Sequence, residues 1–109
     1  MKKNLLLILF VLAAAFNLTA DILSEDYTLR LSDDGKTVIA AVGKPATVTI
    51  PNGVTTIRSD AFYKCTSLQL VIYDGAESDW YKIEFKDNTG LKGKTIVGRN
   101  RAAWTHAGN

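Results

Sequence analysis

His106 is the only histidine of the chain, Cys65 the only cysteine, and neither has a partner at a spacing that chemistry needs. A zinc site requires three or four ligands, and His106 stands in a polar tail after Trp104 and Thr105 with no second ligand-type residue nearby. A nucleophilic pair would need His106 to return to Ser67 or Cys65, and nothing between them directs such a return. Asp33-Asp34-Gly35 combines carboxylates with a turn, but the rest of a calcium loop, including its closing glutamate, is missing. Glu77 and Asp79 lie two apart on an expected helix and so point to different faces, which excludes paired acid and base work. No glycine-rich phosphate loop occurs. The residue types therefore predict no catalytic residue, no cofactor, no metal and no enzyme activity.

The elements around these residues are short. Tyr27 to Ser32 alternates apolar and polar side chains and reads as a half-buried strand. Asp33-Asp34-Gly35 turns the chain into a second β-branched run, Lys36 to Val42, so a hairpin is expected. Thr47 to Ile50 and Leu68 to Tyr73 are two further strands, with Val48 and Val71 separated by 23 residues, as are Ile50 and Tyr73. Between them Val54, Ile57, Ala61, Phe62, Cys65 and Leu68 follow neither a helical nor an alternating rhythm. Ser59-Asp60 is placed to cap a helical turn over Ala61 to Lys64. Glu77 to Phe85 reads as a helix with acids in its first turn and Trp80 facing the core, 87–93 as a loop, Thr95 to Val97 as a last strand, and 100–109 as a flexible tail.

A 20- to 29-residue period with one strand and one helical turn is the mark of a leucine-rich repeat. Ile50-Pro51, Val54, Ile57, Ala61-Phe62, Cys65 and Leu68 resemble the BspA-type repeat, "IPxxVxxIxxxAFxxCxxL". VIYDGAESDWYKI, from Val71 to Ile83, is similar to the "YYxGTxxxWxxI" piece that ends such arrays, with Ala76 where the family tends to carry threonine. The resemblance spans about Lys36 to Val97. It implies an α+β, strand-rich fold: a short leucine-rich-repeat solenoid with an N-terminal β-hairpin cap and one short C-terminal helix. The expected division is a single domain over 21–99, with the hairpin cap at 27–43, the repeat at 46–73, the C-terminal cap at 74–99 and the tail at 100–109. One repeat with caps falls short of the three that usually sustain such an array, which points to a compact variant or to self-association.

Lys2 and Lys3, the apolar run Leu5 to Phe16 and Leu18-Thr19-Ala20 compose a signal peptide over 1–20, cleaved after Ala20. The run is too short for a membrane span of about 20 apolar residues, and no later segment supplies one. The expected location is secreted, cell-surface or periplasmic. Without the two leader lysines, eleven basic residues balance eleven acidic ones, which argues against nucleic-acid binding. The charge is uneven: Asp21 to Asp79 holds nine acids and five bases, Lys82 to Arg101 six bases and two acids. The single Cys65 excludes an internal disulfide and reads as an apolar core residue.

Alternation places Val48 and Ile50 inward and Thr47, Thr49, Leu70 and Ile72 outward. Leu70 and Ile72 are apolar on a face expected to be solvated, so these four residues are the candidate partner-binding positions. The reading that follows is an exported, non-enzymatic, adhesin-like interaction module whose partner is a protein or a surface glycan; the BspA resemblance implies the same setting. The alternatives are a structural capping or spacer fragment without a ligand, or a small secreted inhibitor using Asp87 to Lys94 as a protruding loop.

Overall fold

Where apolar and polar residues alternate, the chain forms strands, and where Gly, Asp or Asn supplies a turn, it reverses. The computed structural model describes residues 21–108; the expected signal peptide at 1–20 with its cleavage after Ala20, and Asn109, lie outside the described residues. Among the described residues nine short strands result: β1 (Ile22–Leu23), β2 (Leu29–Leu31), β3 (Thr37–Ala41), β4 (Thr47–Ile50), β5 (Thr56–Ile57), β6 (Leu70–Tyr73), β7 (Glu84–Phe85), β8 (Thr95–Val97) and β9 (Ala103–Thr105). Among the described residues there is one helix, α1, at Glu77–Trp80. It is short and apolar in only one position, and among the described residues no helix is long and apolar enough to cross a membrane.

The strands form two mixed sheets, one in the order β1-β2-β3-β5-β7 and one in the order β4-β6-β8-β9. The expected leucine-rich-repeat solenoid is not found; the chain is a small strand-rich globule. The 23-residue interval does set a parallel register, Thr47↔Leu70, Val48↔Val71, Thr49↔Ile72 and Ile50↔Tyr73. In the other sheet, however, Thr37, Thr56 and Glu84 pair at unequal intervals of 19 and 28 residues. Antiparallel strands close the sheets as well: β1 and β2 beside β3, and β9 beside β8. Without a constant repeat across both sheets, no unit exists that could be stacked.

Inward residues of both sheets meet in one core. Val38 and Ile57 come from the first sheet, Val48, Ile50, Val71, Tyr73 and Ile96 from the second, all at most 1% exposed. Val54, Phe62, Cys65 and Leu68 fill the ground between them. Cys65 Sγ donates to the Pro45 carbonyl, and burial raises its pKa, so it behaves as the apolar residue that the sequence suggests. Phe62 is clamped from outside, because its amide donates to the Thr89 carbonyl at 2.7 Å. A Cβ on Gly90 would lie 2.5 Å from the Phe62 carbonyl carbon, so only glycine permits this approach.

Three local expectations need correction. Ser59-Asp60 caps no helix: Asp60 has φ +64°, its carboxylate accepts from Asn88 Nδ2 at 2.9 Å, and the following residues are turns. The helix expected over Glu77 to Phe85 stops at Trp80. Ala76 gives it no side-chain cap, and Glu84–Phe85 pairs instead with β5. The tail expected at 100–109 contains β9, and its Trp104 and the following His106 are only 8% and 5% exposed. They surround Trp80, with ring centroids 6.1 and 5.7 Å from it, while Tyr73 and Phe85 stand 5.2 and 5.1 Å away. A lone apolar residue in a polar segment gives no periodic signal, which is why this strand was invisible to alternation.

Three hairpin turns share one design. In Ser24–Thr28, Asp26 accepts from the Thr28 amide and the fourth residue, Tyr27, has φ +61°. In Ser32–Lys36, Asp34 accepts from the Lys36 amide and Gly35 has φ +73°. In Gly98–Ala102, Asn100 accepts from the Ala102 amide and Arg101 has φ +68°. Each is a tight turn followed by a left-handed residue, stabilised by an Asp or Asn side chain on its own backbone.

Candidate groove for an apolar partner segment

Parallel pairing aligns three outward side chains into one rung, Thr49, Ile72 and Val97, on β4, β6 and β8. Their inward neighbours Val48, Val71 and Ile96 are fully buried, so the alternation holds across all three strands. The rung is the floor of a groove of about 790 Å³, to which Leu70 and Pro51 add apolar surface. Ile22 and Leu23 of β1 form a wall; they are 42% and 51% exposed, and Ile72 is 36% exposed. Adjacent exposed aliphatic side chains around a concavity are what a partner's apolar residues need, because docking removes both surfaces from water.

Charges stand at opposite ends of the rung. The Ser24–Thr28 turn packs at the β4 end, where Thr49 faces the Asp26 carboxylate. Partial burial raises the pKa of Asp26, but hydrogen bonds from Thr28, Ser24 and Thr49 outweigh it and hold the group below the ordinary carboxylate value. Glu25 lies beside it. The Gly98–Ala102 turn closes the β8 end and brings Arg99 and Arg101. Arg99 Nε reaches Asp74 Oδ1 at 2.9 Å and its Nη2 donates to the Asp74 carbonyl at 2.7 Å, so this guanidinium is satisfied within the protein. Glu25 and Arg101 form no side-chain ion pair among the described residues.

Of the four candidate positions, Thr49, Leu70 and Ile72 line the groove, while Thr47 is exposed beyond it. Sequence reasoning missed Ile22, Leu23, Val97, Arg99 and Arg101. The signal for the first two was present: Ser24-Glu25-Asp26 repeats Ser32-Asp33-Asp34, so a second hairpin turn and a strand before it were readable. Arg99 falls at the end of the stretch read as the C-terminal cap and Arg101 in the stretch read as tail, and alternation could place neither.

The residues considered for catalysis are engaged elsewhere. His106 Nδ1 accepts from Trp80 Nε1 at 3.2 Å, which leaves the proton of the neutral ring on Nε2. Burial lowers its pKa and keeps it neutral. Tyr81 donates to Glu77 at 2.6 Å, a bond that raises the tyrosine pKa. Among the described residues no three of His, Cys, Asp and Glu gather in a way that could hold a metal ion. The segment 87–94, expected to protrude as an inhibitory loop, is tied down, with Thr89 and Leu91 fully buried. Compared with known proteins, the chain matches no family model, no curated protein and no solved structure, so the reading of its function rests on the groove itself.

Proposed function

We propose that this chain is an exported, non-enzymatic interaction module that docks an apolar protein segment in the groove over Thr49, Ile72 and Val97. The observation that carries the reading is the outward rung. Two aliphatic residues lie side by side on a solvent-facing sheet surface, walled by two more on β1. Burying such a patch stabilises a complex by about 25 cal/mol for each Å² of apolar surface removed from water, before the costs of association. The leader-like sequence at 1–20 and the resemblance of Ile50 to Leu68 to BspA-type segments support an extracellular or periplasmic setting.

The test is a comparison of the wild-type chain with the double variant Thr49→Lys, Ile72→Lys in pull-downs from bacterial and host surface extracts. The two positions are paired on adjacent strands, so two lysines there repel each other and present charge to an apolar partner. The variant is expected to keep its circular dichroism and to melt within a few degrees of wild type while losing the captured protein. Retained capture by a folded double variant moves the docking surface away from this groove.

A further inference from the structure

The groove's two ends carry its specificity. The rung from Thr49 to Val97 crosses two strand spacings, about 10 Å, and with the flanking turns it accommodates an extended segment of about five residues. Its ends are closed by two turns of the same design as Ser32–Lys36, which lies outside the groove. That third turn has Gly35 at the left-handed position, where glycine is unstrained. The two groove turns have Tyr27 and Arg101 there instead, both with exposed side chains. Asp60 and Asn88, the other non-glycine residues with positive φ among the described residues, are of the types that tolerate it, whereas tyrosine and arginine are not favoured. Arg101 itself lines the groove, and Tyr27 stands on the turn whose Ser24, Glu25 and Asp26 line it.

The charges are sorted in the same way. At the β8 end Arg99 is matched by Asp74, which leaves Arg101 as the unmatched cation. At the β4 end Asp26 is matched by Ser24 and Thr28, which leaves Glu25 as the unmatched anion. Resting on the docking reading above, we infer that the partner is an extended peptide segment with aliphatic residues at its centre, a cationic residue at one end for Glu25 and an anionic residue at the other for Arg101. Backbone direction is not fixed by this arrangement, because the ligand crosses the strands and does not extend the sheet.

Three capped peptides test it: Lys-Val-Leu-Val-Glu, Lys-Val-Leu-Val-Lys and Glu-Val-Leu-Val-Glu, titrated by NMR into protein purified from cells expressing the full sequence. The bipolar peptide is expected to bind more tightly than either like-charged one, by about two- to fivefold per charge, with shifts at Ile72 and Val97. Arg101→Glu should transfer the preference to the lysine-ended peptide and Glu25→Lys to the glutamate-ended one, and both preferences should shrink as salt rises. Equal affinity for all three, abolished by Ile72→Lys, overturns the charge pairing and leaves the docking reading intact. Binding that Ile72→Lys does not weaken, or no binding of any peptide, overturns both. A concentration-dependent dimer in light scattering that Ile72→Lys dissociates gives the groove to a second copy and overturns the peptide assignment.

Discussion

On the sheet β1-β2-β3-β5-β7, the outward rung Thr37–Thr56–Glu84 is polar, whereas on β4-β6-β8-β9 the outward rung Thr49–Ile72–Val97 is mainly aliphatic. Both rungs cross three parallel strands, and both stand back to back with buried residues: Val38 and Ile57 on one side, Val48, Val71 and Ile96 on the other. The fold thus forms a three-strand parallel ladder with a solvated outer face. Nothing in its backbone requires Ile72 and Val97 to be aliphatic. Ile72 is 36% exposed and Val97 half-buried on that face, beside Ile22 and Leu23.

The comparison is broken most severely by moving charge one residue along the chain. Val71→Lys places an unpaired ammonium in the core and should cost more than about 4 kcal/mol, enough to unfold so small a domain. Ile72→Lys, its neighbour on the outer face, should leave the thermal transition within a few degrees. Thermal melts of both variants check the alternation, and equal losses would mean that the outer rung is core after all.

Trp104→Ala comes next. It opens the wall around Trp80 from the β9 side and should cost roughly 3–5 kcal/mol in urea unfolding. If the loss is under 1 kcal/mol, β9 is not a working part of the second sheet.

The turns allow a smaller and opposite effect. Tyr27→Gly gives the groove turn the residue that Ser32–Lys36 already has, and should raise stability by about 1 kcal/mol. A Gly35→Ala variant should lose stability at the equivalent place. Equal and negligible changes at both positions would remove the contrast between the turns.

The last effect is confined to the second sheet and to one group. Burial holds the His106 pKa below its unfolded value. A depressed histidine is neutral when folded and protonated when unfolded, so its contribution is complete above about pH 6.5 and declines as pH falls below that value. Unfolding free energies of wild type and His106→Phe from pH 8 to 5 should diverge below pH 6.5, with wild type losing more. Parallel curves would exclude His106 as the source.

Much of the strand content was legible because Thr47–Ile50 alternates polar and apolar residues and Leu70–Tyr73 and Thr95–Val97 are rich in β-branched and aromatic residues, and the 23-residue interval from Val48 to Val71 gave a correct pairing. The architecture was not legible. Repeat-like spacing in one sheet says nothing about the other, where β5 and β7 are two residues each and too short to carry a period. The helix after Ala76 was overextended because Trp80, Ile83 and Tyr81 or Glu84 stand at helical spacing, and the pairing of Glu84–Phe85 with β5 decided against it. Half the groove was readable from Thr49, Leu70 and Ile72. The rest depended on β1 and on Arg101, whose positions are set by long-range packing and not by local sequence.

The position of β9 also governs the order in which the protein can be completed. A ribosome delivers the amino end first, so the rings of Trp104 and His106 are the last parts of the core to be made. Until they arrive, Trp80 has no neighbours on that side and β8 has an open edge. The core of the described residues therefore cannot close before His106 has been made, and every earlier stage of synthesis leaves Trp80 partly uncovered.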